Sequence, residues 1–551
     1  MTLKRTLFAN GRILTGVGLL TADPQLVEAL LVEDGVIVAA GATKTLQATG
    51  SPALIDLKGA FCMPGFNDAH LHLGEGARLH REVDLRGTRS LEEALQRIER
   101  RVLAEDANAQ ETVWLSGGGW DETLWADAEQ ERRLPTRHAL DRVTGDHPAV
   151  FARIDVHVSV ANSAALRLAG VDRHTVAPGG STIDHDAHGE PTGILREQGA
   201  RALVEHLVPP ATQVAREQSL RAVLGLACAQ GITSVQDNSV DADFAALRAL
   251  HARGEQTLRV SEWLPFDAPV EELKERQNDA PQDRFLRTGM LKAFLDGSLG
   301  SRTAALNAPY SDAGSSSGLT FYDRGTLNAM ARKRAEAGFS LGFHAIGDRA
   351  FAMALAAFEF AAGGQAAGDK KPFRIEHAQV ATTDAYPRMK ALGAIASIQP
   401  CHLLSDAAWA LDRLGAGRAA HAYAWRRFLE AGVPLALGTD FPVEPVDPFR
   451  NLYAAIVPAS ETAGTWFPGQ RLTLAEALHA YTGGSALAEG TQSWKGVLAP
   501  GYAADFIVLD RDLLACAGNA RAIRETRVMR TVINGRSVFE RLVANPGTSH
   551  G

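Results

Sequence analysis

Eight short apolar runs, most of them separated by Ala-rich helical stretches, constrain the fold of this chain more than any other feature. They are AFCMPGFNDAH (60–70), GITSVQDN (231–238), TLRVSEWLP (257–265), GMLKAFLDGS (289–298), FSLGFHAIGD (339–348), FRIEHAQV (373–380), GAIASIQP (393–400) and VPLALGTD (433–440). Strand-helix alternation of this kind, with QVAREQSLRAVLGLACAQ as one of the helices, is the signature of parallel βαβ units. Eight units predict a distorted (β/α)8 TIM barrel in an α/β fold. The interval between the first and second runs is too long for a connecting loop. It predicts an inserted α+β subdomain over residues 76–212.

Both ends of the chain have a different texture. TLFANGRILT, ALLVEDGVIVAAG and ALIDLKGAFCM near the start, and GVLAPGYAADFIVLD and RVMRTVINGRSVFE near the end, are short strands punctuated by Gly, Asn-Gly and Asp-Gly. A β-sandwich assembled from residues 1–60 and 490–545 uses both, which leaves 61–75 and 213–489 for the barrel. The length of 551 residues accommodates such a plan. A formal charge of -8 gives no reason to expect nucleic acid as a partner. Cys62, Cys228, Cys401 and Cys516 have no paired spacing and read as reduced thiols. The N-terminal stretch shows no cleavage pattern, and no run approaches the roughly 18 apolar residues of a membrane span. The expectation is a cytoplasmic protein without membrane contact.

Polar residues fall at the ends of the runs. His70 and His72 end the first, Lys292 lies in the fourth, His344 is in the fifth, His377 in the sixth, and Asp440 ends the eighth. Side chains two apart on a strand share a face, so the His-x-His pair can present both rings to one metal ion. In a barrel the carboxyl ends of the strands converge on one mouth, where chemistry is done. Each residue alone has a plain alternative: a hydrogen-bonded core histidine, or an aspartate capping a turn. Lys292 is harder to dismiss, because an ammonium between Leu291 and Ala293 is costly to bury unless neutralised.

The segments PGFNDAHLH, GWDETLW, RIDVHVSVANSAAL, GILREQ, LKAFLDGSLGSRTAAL, FHAIGDRA, RIEHAQ and ALGTDFPV together resemble the metal-dependent amidohydrolase superfamily, in its amidohydrolase 3 branch, which includes the N-substituted formamide deformylases. The resemblance implies a distorted barrel beside a β-sandwich, and two Zn2+ ions per chain. It implies that His70 and His72 hold the more buried ion and that His344 and His377 hold the other. Lys292 would be carboxylated and bridge the two. Asp440 would ligate the buried ion and act as general base and acid in hydrolysing a C–N bond of a small N-acyl or N-formyl amine. Deamination or ester hydrolysis on the same site is one alternative reading, and a non-enzymatic binding module is another. A homo-oligomer is compatible with each.

Candidates for substrate contact are fewer. His157 reads equally as an oxyanion contact or a structural histidine. Trp120 and Trp125 line a pocket or pack, Arg302 meets a substrate carboxylate or pins its own loop, and His402 is a pocket candidate. Glu197 and Asp237 are candidate partners of metal-bound histidines. His174, His185 and His188 read as solvated.

Overall fold

The computed structural model describes residues 5–542 except 22, 107–112, 126–133, 155–156, 364–371, 458 and 461–463. Residues 543–545 of the expected sandwich therefore lie outside the described residues. The chain divides into two compact units, residues 1–74 with 220–551 and residues 75–219.

In the first unit all eight apolar runs contribute to one sheet: β1 (Phe66–Leu71), β2 (Ile232–Asp237), β3 (Arg259–Pro265), β4 (Leu286–Phe294), β5 (Leu341–Ala345), β6 (Phe373–His377), β7 (Ile395–Ile398) and β8 (Leu435–Leu437). Each strand bonds to its sequence neighbour in parallel, from β1 round to β8. Every residue of β2 and of β6 is buried, as parallel strands covered on both faces require. The helix Asp348–Ala362 shows how the outer layer packs. Its Phe358 stacks on Phe343 of β5 and Phe373 of β6, with ring centroids 4.7 Å apart in both pairs.

The barrel closes where the chain leaving β8 returns to β1. Asp440 N–H donates to the His70 carbonyl at 2.7 Å, and His72 N–H donates to that of Phe441 at 2.8 Å. The Asp68 carboxylate accepts from Thr439 N–H at 3.0 Å and from the Thr439 hydroxyl at 2.7 Å. Only glycine fits at 438, because a Cβ there would lie 2.5 Å from His70 N and 2.9 Å from His70 O.

The first apolar run is two strands, not one. It breaks at Pro64-Gly65, and Phe61–Pro64 pairs with Phe506–Leu509 and Arg12–Leu14 rather than with the barrel. That places it in a six-stranded sheet drawn from both termini, which also contains Val528–Ile533, Arg536–Glu540 and Leu26–Val27. A second, four-stranded sheet contains Val36–Gly41, Ala29–Glu33, Thr6–Ala9 and Ala53–Asp56. Phe8, Leu30 and Val32 of the smaller sheet share one apolar core with Ile13, Cys62, Phe506 and Val532 of the larger, which is the expected sandwich.

Residues 75–219 form their own mixed sheet, in the order Val83–Asp84, Leu115–Trp120, Ala149–Arg153, Val158–Ala161, Pro191–Arg196, Thr182–His185. Its helices include Leu91–Asp106, Arg137–Thr144 and Glu197–Glu205. Leu95, Trp120, Leu140, Phe151 and Val160 centre one of its apolar cores. Among the described residues no helix is long and apolar enough to cross a membrane.

Candidate metal centre

The carboxyl ends of the barrel strands bring His70, His72, Lys292, His344, His377, His402 and Asp440 into one cluster. Asp440 is its hub. Its Oδ1 lies 3.0 Å from His72 Nε2 and 3.5 Å from His70 Nε2, and its Oδ2 lies 3.3 Å from His402 Nε2. Two sets of side chains offer ligand atoms within 4.8 Å of one another: His70, His72 and Asp440, and His377, His402 and Asp440. The His344 ring stands 4.4 Å from that of His377 but belongs to neither set. His402, read from sequence only as a pocket residue, thus joins the cluster as a potential ligand.

Backbone conformation helps to aim these groups. His377 has φ 70° and Asp440 φ 57°, left-handed values that non-glycine residues adopt at a cost of about 1–3 kcal/mol. At His377 the turn breaks strand alternation, so that Glu376 and His377, adjacent in sequence, both serve the cluster. Glu376 is the residue that sequence reasoning missed. It accepts from His70 Nδ1 at 2.8 Å and pairs with Arg374 Nε at 2.9 Å, beneath the cluster. Arg374 Nη2 also donates to Ala69 O at 2.9 Å and to Ser397 Oγ at 3.1 Å. The signal available was the RIEH spacing, which sets Arg374 and Glu376 on one strand face.

Burial puts His70, His344 and His377 in ligand form, whereas at His72 and His402 the neighbouring Asp440 outweighs burial and raises the imidazole above its ordinary value. Burial pushes His70 down to about 4 and His344 down to about 3, which leaves neutral imidazoles at pH 7. Burial also lowers Lys292 to about 8, against the pull of Glu376 and Asp440. Its Nζ lies 3.2 Å from His70 Nε2 and 5.0 Å from the centre of the Trp263 ring. Burial would raise Asp440, but His70 and hydrogen bonds with His402 and His72 hold it well below the usual carboxylate range.

A metal ion fits these residues. Nδ1 of His344 and Nδ1 of His377 are shut off from solvent with no hydrogen-bond partner, a costly state that an ion would relieve. Imidazole nitrogens around a shared carboxylate suit a first-row transition metal.

The remaining candidates have local partners. Trp120 and Trp125 are core residues of the second unit, with ring centroids 6.4 Å apart, and Trp120 Nε1 donates to Phe151 O at 3.1 Å. Packing accounts for both, so the pocket reading is corrected. His157 is exposed in the same unit, its Nδ1 3.1 Å from Glu197 Oε2. Within that unit Glu197 is thus a partner of His157. Arg302 pairs with Asp312 at 2.8 Å and so pins its own loop. Asp237 accepts from Leu73 N–H at 2.7 Å and holds the chain just past His72.

A parallel barrel carrying this cluster at its carboxyl ends, beside a sandwich built from both termini, defines a metal-dependent hydrolase. The chain belongs to the amidohydrolase family, whose model matches residues 53–539. It is 33% identical over 525 residues to a Bacillus subtilis protein named as amidohydrolase YtcJ, covering 93% of this chain and 96% of that one. It is 29% identical to N-substituted formamide deformylase of Arthrobacter pascens, covering 93% and 95% of the two chains. Among solved structures, a metal-dependent hydrolase from Pyrococcus horikoshii superposes with TM-score 0.76 at 30% identity, over 94% of this chain and 99% of that one. The family implies hydrolysis of C–N bonds in small molecules.

Proposed function

We propose that the chain is a zinc-dependent amidohydrolase that cleaves the C–N bond of an N-acyl or N-formyl amine. The observation that carries this reading is the buried cluster of imidazoles around Asp440, with Lys292 Nζ against His70 Nε2. His70, His72 and Asp440 would hold one ion, and His344 and His377 the other. The set of His377, His402 and Asp440 favours His402 as a further ligand or a substrate contact beside that second ion. When bound, two zinc ions supply Lewis acidity toward the carbonyl oxygen and lower the pKa of the attacking water.

The chain's own residues do the rest. Lys292, lowered to about 8, has a share of free amine near neutral pH, the form that adds CO2 to become a carbamate. As an anion it no longer competes with a cation for His70 Nε2. Glu376 fixes His70 with Nδ1 protonated and Nε2 free. Asp440, ionised, takes the proton of the attacking water and delivers it to the departing nitrogen, because an amide anion is a very poor leaving group. The relative named as a formamide deformylase supports the N-formyl class. All four cysteines are free of disulfide bonds, which suits the reducing cytoplasm. We extend the reading to a homo-oligomer.

The test is elemental analysis of protein purified without chelator, beside gentle intact-mass measurement and turnover of N-formyl and N-acyl amines. Two zinc equivalents, the added mass of one CO2 and amine release are expected. A single equivalent without added mass refutes the bridged pair, and turnover only of esters or release only of ammonia refutes the substrate class.

A further inference from the structure

The inside of a parallel barrel is ordinarily filled by branched apolar side chains. Here the floor of the barrel, at the end of the strands opposite the metal cluster, encloses a cavity of about 100 Å³ with a largely polar lining. Ser261 of β3, Arg287 of β4, Ser340 at the entrance to β5, Arg374 of β6 and Glu489, which ends the helix Ser485–Glu489, all line it. Gly289 keeps the space, because a Cβ there would stand 2.5 Å from Ser261 Oγ and 3.1 Å from Trp263 Cδ1. Trp263 lies between the cavity and the cluster, its ring centre 5.2 Å from Arg374 Cζ and 5.0 Å from Lys292 Nζ.

The charges around this cavity do not cancel. Arg374 is matched by Glu376 at 2.9 Å, and Glu489 is matched by Lys495 Nζ at 2.5 Å. Arg287 is half-buried, and among the described residues its guanidinium forms no ion pair or hydrogen bond. The hydroxyls of Ser261, 1% exposed, and of Ser340 have no hydrogen-bond partner among them either. Water alone would satisfy the hydroxyls but leave the cation uncompensated, and an enclosed charge without a partner is costly.

We propose that the barrel floor binds one small monovalent oxyanion of the formate, bicarbonate or nitrate kind. Arg287 supplies the opposite charge and a forked pair of donors, and Ser261 and Ser340 each add an O–H. A volume of about three waters admits such an ion and excludes a larger organic solute. Glu489 across the cavity disfavours a second negative charge on the ligand. The site is separate from the metal cluster and does not depend on which ions that cluster holds.

The test is calorimetric titration of the full-length protein, with its metals in place, by formate and by nitrate at constant ionic strength. One equivalent should bind. Arg287→Gln should weaken binding at least about 10-fold, and Ser340→Ala about 5–10-fold. Arg284→Gln is the control: Arg284 is exposed, stands 5.1 Å from the centre of the Trp494 ring and does not line the cavity, so its loss removes the same charge nearby and should leave the affinity unchanged. The thermal midpoint should rise with formate concentration in wild type and much less in Arg287→Gln. Sulfate should bind more weakly than nitrate, and tighter sulfate binding overturns the monovalent class. Absence of saturable binding, an equal loss in Arg284→Gln, or undiminished binding in Arg287→Gln, as an anion held at the metal cluster would give, overturns the site. If Arg287→Gln does not fold, Ser340→Ala decides, since it removes a single oxygen, and undiminished binding there overturns the proposal.

Discussion

Asp440 carries more of the proposed chemistry than any other side chain, since it touches three imidazoles and its backbone N–H closes the barrel on His70 O at 2.7 Å. Asp440→Asn keeps one oxygen for a metal ion but removes the proton acceptor. We expect bound zinc to remain and kcat to fall about 10²–10⁴-fold, measured on any turned-over N-acyl amine. A rate near wild type would remove the proton-transfer role. The residues of the His-x-His pair, Lys292, His344, His377 and Asp440 were legible in sequence because each sits in or beside an apolar run. Glu376 was not, because strand alternation assigns it to the face opposite His377, and only the left-handed φ of His377 brings both to one cluster. His402 was read as a pocket residue because nothing in sequence measures its 3.3 Å approach to Asp440.

At the scale of elements, the barrel depends on how closely β8 approaches β1. Gly438→Ala places a methyl against His70 backbone atoms, so a loss of about 1–3 kcal/mol is expected in urea unfolding, with weakened metal binding. Unchanged stability would show that the two strands can part. The helix Leu474–His479 begins with a capping box in which Thr473 and Glu476 exchange hydrogen bonds, and Glu476 also pairs with Arg426. Burial opposes ionisation of Glu476, but Arg426 and Thr473 hold it down to about 2, below its ordinary 4.5. A depressed folded-state value means that the stabilisation is complete above pH about 4.5 and is lost as pH falls toward 2. The stability difference between wild type and Glu476→Gln should shrink over that window, and a constant difference from pH 6 to pH 2.5 would contradict the assignment. Turn dipeptides show the limit of local reading. Asp34-Gly35 and Asn534-Gly535 join paired antiparallel strands, as such dipeptides do. Asn10-Gly11 instead carries the chain from the four-stranded sheet to the six-stranded one, because the strands on either side bond to different partners.

At the scale of the whole molecule, the thiols report on packing. Burial pushes Cys62 up to about 12 and Cys228 up to about 11, and Cys401 is also buried, whereas Cys516 is half-exposed. A thiol reagent should therefore modify one cysteine in the folded protein and four after denaturation. Rapid reaction of more than one would mean a looser core than this one. The alternation of strand and helix, the gap between the first two barrel strands and the matched texture of the termini were enough to determine barrel, insertion and sandwich. Each reflects local periodicity and the burial it demands, which a sequence records directly. The tertiary structure alone decided where the first apolar run divides, that the tryptophans pack, and which ligands share a carboxylate. Those outcomes depend on distances between residues hundreds of positions apart, such as His70 and Asp440, and on backbone angles that no pattern of residue types specifies.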